Sequence, residues 1–169
     1  TAYALGFDLW GAIANWTKET FGFKSTEYTQ PAASSYAKEI PASLKSIANE
    51  MELHDVPVTV LPSYLPDGYT EMDFQYDVAA DSMDFYSLLK KGNYSLILLY
   101  SVFFDGQAHS QFEKDAASPR QYEYNGTMYY IMTNEGVYFA TWAVDNVECS
   151  IAGVETYDEI IKIIQSIGE

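Results

Sequence analysis

The spacing of apolar positions divides the chain near residue 56 into a half with helical period and a half with strand period. Over residues 7–21, FDLWGAIANWTKETF, Leu9, Ala12, Ile13 and Trp16 recur every three or four positions. With Asp8 as N-cap and Gly22 as stop, this predicts an amphipathic helix. Residues 25–35 are polar and read as a loop, in which Pro31 opens a second helix. Pro41 ends that helix near Ile40 and starts another, because proline suits a first turn and obstructs a helix interior. The helix from Pro41 sets Leu44, Ile47, Ala48 and Met51 on one face. Residues 1–55 are therefore expected to form a helical arm, followed by a module over residues 56–169.

Within that module the stretch LPSYLPDGY, residues 61–69, marks the change of period. Its two prolines hold the chain extended, Asp67-Gly68 turns it, and Leu65 and Tyr69 anchor it to a core. Tyr69–Asp77 then mostly alternates, and residues 94–104 are apolar on both faces, as in a central strand covered on both sides. Residues 105–118 read as a polar connection. Asn125-Gly126 between QYEY and TMYYIMT is a strong hairpin signal. Residues 137–144 and 147–152 follow, joined by Asp145-Asn146. With those two residues as the loop, Val144 faces Val147, Trp142 faces Cys149 and Ala140 faces Ile151, while Thr141, Ala143, Glu148 and Ser150 point the other way. A slip of one residue destroys this sorting, so Trp142, Cys149 and Ile151 are expected in the core, with Cys149 as a packed thiol.

The hairpin before it accepts either a two- or a three-residue loop at residues 134–136, which leaves Tyr129, Tyr130, Tyr138 and Phe139 unsorted between the faces. The chain closes on a helix with a capping box at Thr156 and Glu159 and a stripe of Tyr157, Ile160, Ile161, Ile164 and Ile167 before Gly168. The fold class predicted is α+β: a mostly antiparallel sheet of about six strands in a meander, covered by the C-terminal helix, with the N-terminal helical arm attached.

Charge narrows the partners. The net charge is −15, and residues 61–169 hold 17 of the 24 acids against five basic residues. Such a surface repels phosphate backbones, which excludes nucleic acid as a partner. Fifteen Tyr, nine Phe and three Trp suit a sheet with a partly exposed aromatic face. Tyr129, Tyr130, Tyr138 and Phe139 are the candidate binding surface for a glycan, peptide or lipid. One cysteine makes no internal disulfide, and no window approaches ~20 consecutive apolar residues, the length of a membrane span.

Catalytic chemistry leaves no signature. His54 and His109 stand apart from any ligand-spaced partner, and Asp73, Asp77, Asp81 and Asp84 lack the glycine and closing Glu of a calcium loop. Neither a Gly-x-Ser-x-Gly elbow nor a phosphate-cradling glycine loop occurs. No metal, cofactor or catalytic residue is predicted. A hydrolase built on two of the many carboxylates stands as the alternative.

PSYLPDGY, the long apolar strand, the hairpin around NGTMYYI, the run VYFATWAVDNVECSIAG and the closing ETYDEIIKIIQSIG together resemble a bacterial domain of unknown function, family 4367. The resemblance covers roughly residues 57–169, and its most telling positions are Pro62, Leu65, Pro66, Gly68, Tyr69, Trp142 and Ile151 to Gly153. LWGAIANWTKETFGF is similar to the segment that joins a membrane span to the module in such proteins. The resemblance implies an extracytoplasmic, C-terminal module of a membrane-anchored, anti-sigma-factor-like protein, with the span outside this chain, which starts at Thr1. It implies a non-enzymatic sensor or interaction domain for an unknown protein or cell-envelope ligand and carries no catalytic residue.

Overall fold

The structure, a computed structural model, describes residues 19–22, 39–104, 111–115 and 117–168. Most of the helix expected over residues 7–21, and most of the one from Pro31, lie outside these. Glu19–Gly22, at the end of the first, is instead a strand (β1) that pairs antiparallel with a strand at Gln111–Lys114, Phe21 opposite Phe112. Backbone pairing with a distant segment outweighs the local helical spacing there, and the connection expected at residues 105–118 accordingly contains a strand.

The helix expected after Pro41 is present. Pro41 precedes a 3-10 turn at Ala42–Leu44, which runs into α1 (Lys45–Leu53). Strands β2 (Thr70–Val78), β3 (Ser82–Lys91), β4 (Tyr94–Phe103), β5 (Gln111–Lys114), β6 (Arg120–Tyr124), β7 (Thr127–Asn134), β8 (Val137–Val144) and β9 (Val147–Val154) follow, and α2 (Tyr157–Gln165) closes the chain.

Seven of the strands form one antiparallel sheet in the order β2-β3-β4-β9-β8-β7-β6. It holds one strand more than the pattern predicts, β3, which the alternation does not mark. Its sequence, SMDFYSLLKK, buries both faces over Phe85–Leu89 and so lacks a clean alternation. The sheet consists of two meanders, β2–β4 and β6–β9, joined where β4 and β9 pair from Ile97–Ala152 to Val102–Val147. Two of the three tight hairpins of the second meander close with both loop residues in the left-handed region: Asn125 and Gly126, then Glu135 and Gly136, with φ of 49°, 77°, 49° and 83°. The two-residue loop at 135–136 puts Asn134 opposite Val137 and settles the open register.

The last hairpin has the predicted register, with Trp142 opposite Cys149, Ala140 opposite Ile151 and Val144 opposite Val147. One face of the sheet carries Phe85, Leu98, Tyr100, Trp142, Cys149 and Ile151, each 0% exposed, beneath both helices. Helix α2 presses the fully buried Ile160, Ile163 and Ile164 onto it, each contributing about 2 kcal/mol. From α1, Leu44, Ile47 and Met51 join the same core, and Ser46 Oγ donates to Glu71 Oε1 of β2 at 2.7 Å. The core therefore continues across residue 55.

Gly153 fits where the central strands crowd. Its φ is +95°, and a Cβ there would lie 2.1 Å from the Ser95 carbonyl oxygen. Gly153→Ala is expected to destabilise the fold by about 3 kcal/mol, combining backbone strain with overpacking between β9 and β4. Gly126→Ala, with φ +77° and nothing within 4 Å of its Cβ, bears the strain alone and costs about 1 kcal/mol. Urea unfolding of both variants checks this: equal midpoints would contradict the crowding at Gly153.

Candidate functional site

The segment PSYLPDGY runs into the sheet alongside α2. Pro62 makes an antiparallel bridge with Ile167, and Ser63 donates from both N and Oγ to the Ser166 carbonyl oxygen, at 3.2 and 3.0 Å. Tyr64 N donates to Ser166 Oγ at 3.1 Å. The bonds from Ser63 occupy a carbonyl that the helix end leaves without a partner inside the helix. Leu65 is buried, Gly68 turns the chain at φ +88°, and Tyr69 packs at the core margin.

Helix α2 starts at Thr156, whose Oγ1 accepts from Glu159 N at 3.2 Å. The capping box is only half formed. Glu159 does not reach back to the cap; its carboxylate accepts from Lys162 Nζ at 2.8 Å and from the Tyr64 hydroxyl at 3.0 Å. The hydrogen bond from Lys162, and that from Tyr64, hold the Glu159 carboxyl below the usual range, while desolvation opposes them. Burial, and then the Glu159 carboxylate, push the Tyr64 hydroxyl up.

Edge strand β6 runs along the other side of α2. The Arg120 guanidinium sits 5.0 Å from the centre of the Tyr157 ring, and Gln165 Nε2 donates to the Tyr122 hydroxyl at 2.9 Å. The rings of Tyr122 and Tyr124 are nearly parallel, 12° apart with centroids 6.5 Å from each other. Tyr64, Tyr124, Lys162, Gln165 and Ser166 line an open groove of about 660 Å³ between the lead-in segment, the helix and this edge.

The four residues singled out from the sequence do not form one surface. Tyr129 and Phe139 are 2% and 1% exposed, and Tyr130 and Tyr138 are half-buried. Tyr129 packs on Trp142 at 5.3 Å between ring centres and Tyr138 packs on Tyr157 at 5.9 Å, both on the helix-covered side, whereas Tyr130 and Phe139 alternate to the other face. Trp142, Cys149 and Ile151 are wholly buried, and burial pushes the Cys149 thiol up, as for a packed thiol rather than a nucleophile. Sequence reasoning missed the groove tyrosines. QYEY does put Tyr122 and Tyr124 on one side, but nothing local places Tyr64 or Gln165 beside them.

The profile of the family described as "Domain of unknown function (DUF4367)" matches residues 59–167. The chain belongs to this family. No curated protein and no solved structure matches it. The DUF4367 region contains the whole groove, from Tyr64 to Ser166, whereas α1 lies outside the matched residues while packing into the same core.

On the far face of the DUF4367 sheet, Asp77, Asp84, Ser101 and Glu148 stand directly opposite one another across β2, β3, β4 and β9. Among the described residues no group of three or more His, Cys, Asp or Glu is placed to hold a metal ion. Nor is any described helix long and apolar enough to cross a membrane. His54 stacks on Tyr76 at 4.6 Å between ring centres and meets Glu50 at 3.2 Å, while His109 lies outside the described residues.

Asp84 carries the electrostatic strain of this row. Desolvation raises its pKa, and Asp77 and Asp81 raise it further against a hydrogen bond from Ser101. A carboxyl whose folded pKa lies above its unfolded value binds its proton more tightly when folded, so stability rises as pH falls through that folded pKa and is lower above it. Asp84→Asn is expected to gain about 0.5–1 kcal/mol at pH 7, the scale of one cross-strand like-charge pair. It should also flatten the stability profile between neutral pH and about pH 4. Urea unfolding at pH 7 and pH 5 checks this, and an unchanged profile would refute it.

Proposed function

We propose that this chain is a non-enzymatic recognition module: the extracytoplasmic sensor or interaction part of a membrane-anchored, anti-sigma-factor-like regulatory protein, with its ligand held in the groove between α2, β6 and the PSYLPDGY segment. The composition of the groove carries this reading. Its lining offers aromatic faces, an amide, an ammonium and a hydroxyl, and it includes no nucleophile beside a base and no pair of carboxylates. Glu159, the carboxylate next to it, is engaged by Lys162 and Tyr64. Such a lining suits binding and orienting a ligand. The membrane and anti-sigma-factor-like setting rests on what the family resemblance implies.

Helix α2 is the element through which occupancy reaches the rest of the fold. It lines the groove with Lys162, Gln165 and Ser166 on one side and packs Ile160, Ile163 and Ile164 into the core on the other. A ligand that draws Tyr64 and Gln165 together tightens the lead-in segment against the helix, and this segment follows directly on the part of the chain that contains α1.

In cells carrying the full-length protein, the pair Tyr64→Ala and Tyr124→Ala is expected to change the output of the regulated promoter under envelope stress by about tenfold, the effect of losing one to two aromatic contacts. Membrane levels of the protein, followed by immunoblot, are expected to stay constant. Unchanged output at equal protein level overturns the proposal.

A further inference from the structure

We infer that the ligand of the groove is an oligosaccharide, laid along α2 with its sugar rings on the tyrosine faces. This deepens the reading above and rests on the same groove. The lining contains no aliphatic side chain: all five residues, Tyr64, Tyr124, Lys162, Gln165 and Ser166, end in a hydrogen-bonding group, and the apolar surface comes from the tyrosine rings and the lysine stem. A lipid chain needs an enclosed apolar wall, and a peptide anchored by Leu or Phe needs a closed apolar pocket. An open groove of rings and planar polar groups supplies neither. A sugar ring presents a C–H face and a rim of hydroxyls, which match an aromatic face and the amide, ammonium and hydroxyl beside it.

Two features prepare the rings for this use. The Tyr64 hydroxyl donates to Glu159 Oε2 at 3.0 Å, and the Tyr122 hydroxyl accepts from Gln165 at 2.9 Å. The Tyr64 ring is thereby held in orientation, and Tyr122, just outside the lining, fixes the Gln165 amide and stacks on Tyr124, which lowers the ordering cost of binding. Charge points the same way. In a segment where acids outnumber bases 17 to five, the groove lining holds one ammonium and no carboxylate, and the adjacent Glu159 is neutralised by that ammonium, so the lining carries no net negative charge against a sugar. The nine residues of α2 extend over about 13 Å, room for a chain of a few sugar units.

The test is a two-dimensional NMR titration of the 169-residue chain with three probes: the neutral N-acetylglucosamine tetramer, an anionic galacturonate trimer, and an uncharged tetrapeptide. Saturable shifts centred on Tyr64, Tyr124 and Gln165 with either saccharide, and not with the peptide, are the expected result. Tyr124→Ala should weaken the saccharide about tenfold, the loss of one aromatic contact, while Tyr124→Phe, which keeps the ring face, should retain most of the affinity. Thermal unfolding of each variant reports whether the fold is intact; if Tyr124→Ala is unfolded, Gln165→Ala takes its place with the same expected loss. No shift with either saccharide overturns the inference, as does saccharide binding that Tyr124→Ala and Gln165→Ala leave unchanged. Groove shifts with the peptide alone overturn the oligosaccharide while leaving the recognition reading standing.

Discussion

Leu98 and Ile151 are far apart along the chain and directly opposite each other in the sheet, and the pairing of β4 with β9 that they belong to is the constraint on which the remaining structure depends. Each meander is a local object, strand after strand through short turns. Only the β4–β9 ladder merges their apolar faces into a surface wide enough for both helices. Closing a loop of that length costs about 3–4 kcal/mol of chain entropy, which the continuous burial of Tyr100, Trp142, Cys149 and Ile151 offsets. The absence of a side chain at Gly153 belongs to the same constraint, because the backbones of β9 and β4 approach too closely there for a Cβ.

The groove is a by-product of how that core is roofed. Helix α2 must bury three isoleucines, which fixes its rotation and turns Lys162 and Gln165 outward. The end of the helix needs a partner for the Ser166 carbonyl, which Ser63 supplies, and Tyr64 N donates to Ser166 Oγ beside it, which together draw the lead-in segment alongside. At the far side the sheet ends on β6, whose alternation presents Tyr122 and Tyr124 on the helix side. Three independent requirements, core burial, helix capping and strand alternation, thus bring a cluster of tyrosines and an amide to one surface position.

Electrostatically the two faces of the domain differ. On the helix side the Glu159 carboxylate is balanced by Lys162 and Tyr64, and its pKa falls. On the far side Asp84 is partly desolvated among like charges, and its pKa rises. A chain with a large acidic excess accommodates both because most of the acids among the described residues stay exposed, and such an excess favours solubility.

The amino-acid sequence by itself determined what local physics controls. The Asn125-Gly126 hairpin, the register of Trp142 against Cys149, the helix from Pro41, the Thr156 cap and the turn at Asp67-Gly68 all follow from φ preferences, capping chemistry and a period-2 pattern read within a few residues. The family was legible too, since its marks are short stretches in fixed order. Tertiary structure alone decided that β4 lies beside β9, that SMDFYSLLKK is a strand, that Glu19–Gly22 is a strand rather than the end of a helix, and that Glu159 turns from its cap to Tyr64. It also split Tyr129 and Tyr138 from Tyr130 and Phe139 and brought Tyr64, Tyr122 and Gln165 together. The reason is the same in each case: periodicity states which side of an element is apolar, whereas the neighbour on that side is set by long-range pairing and burial, whose energy depends on residues the local pattern does not contain.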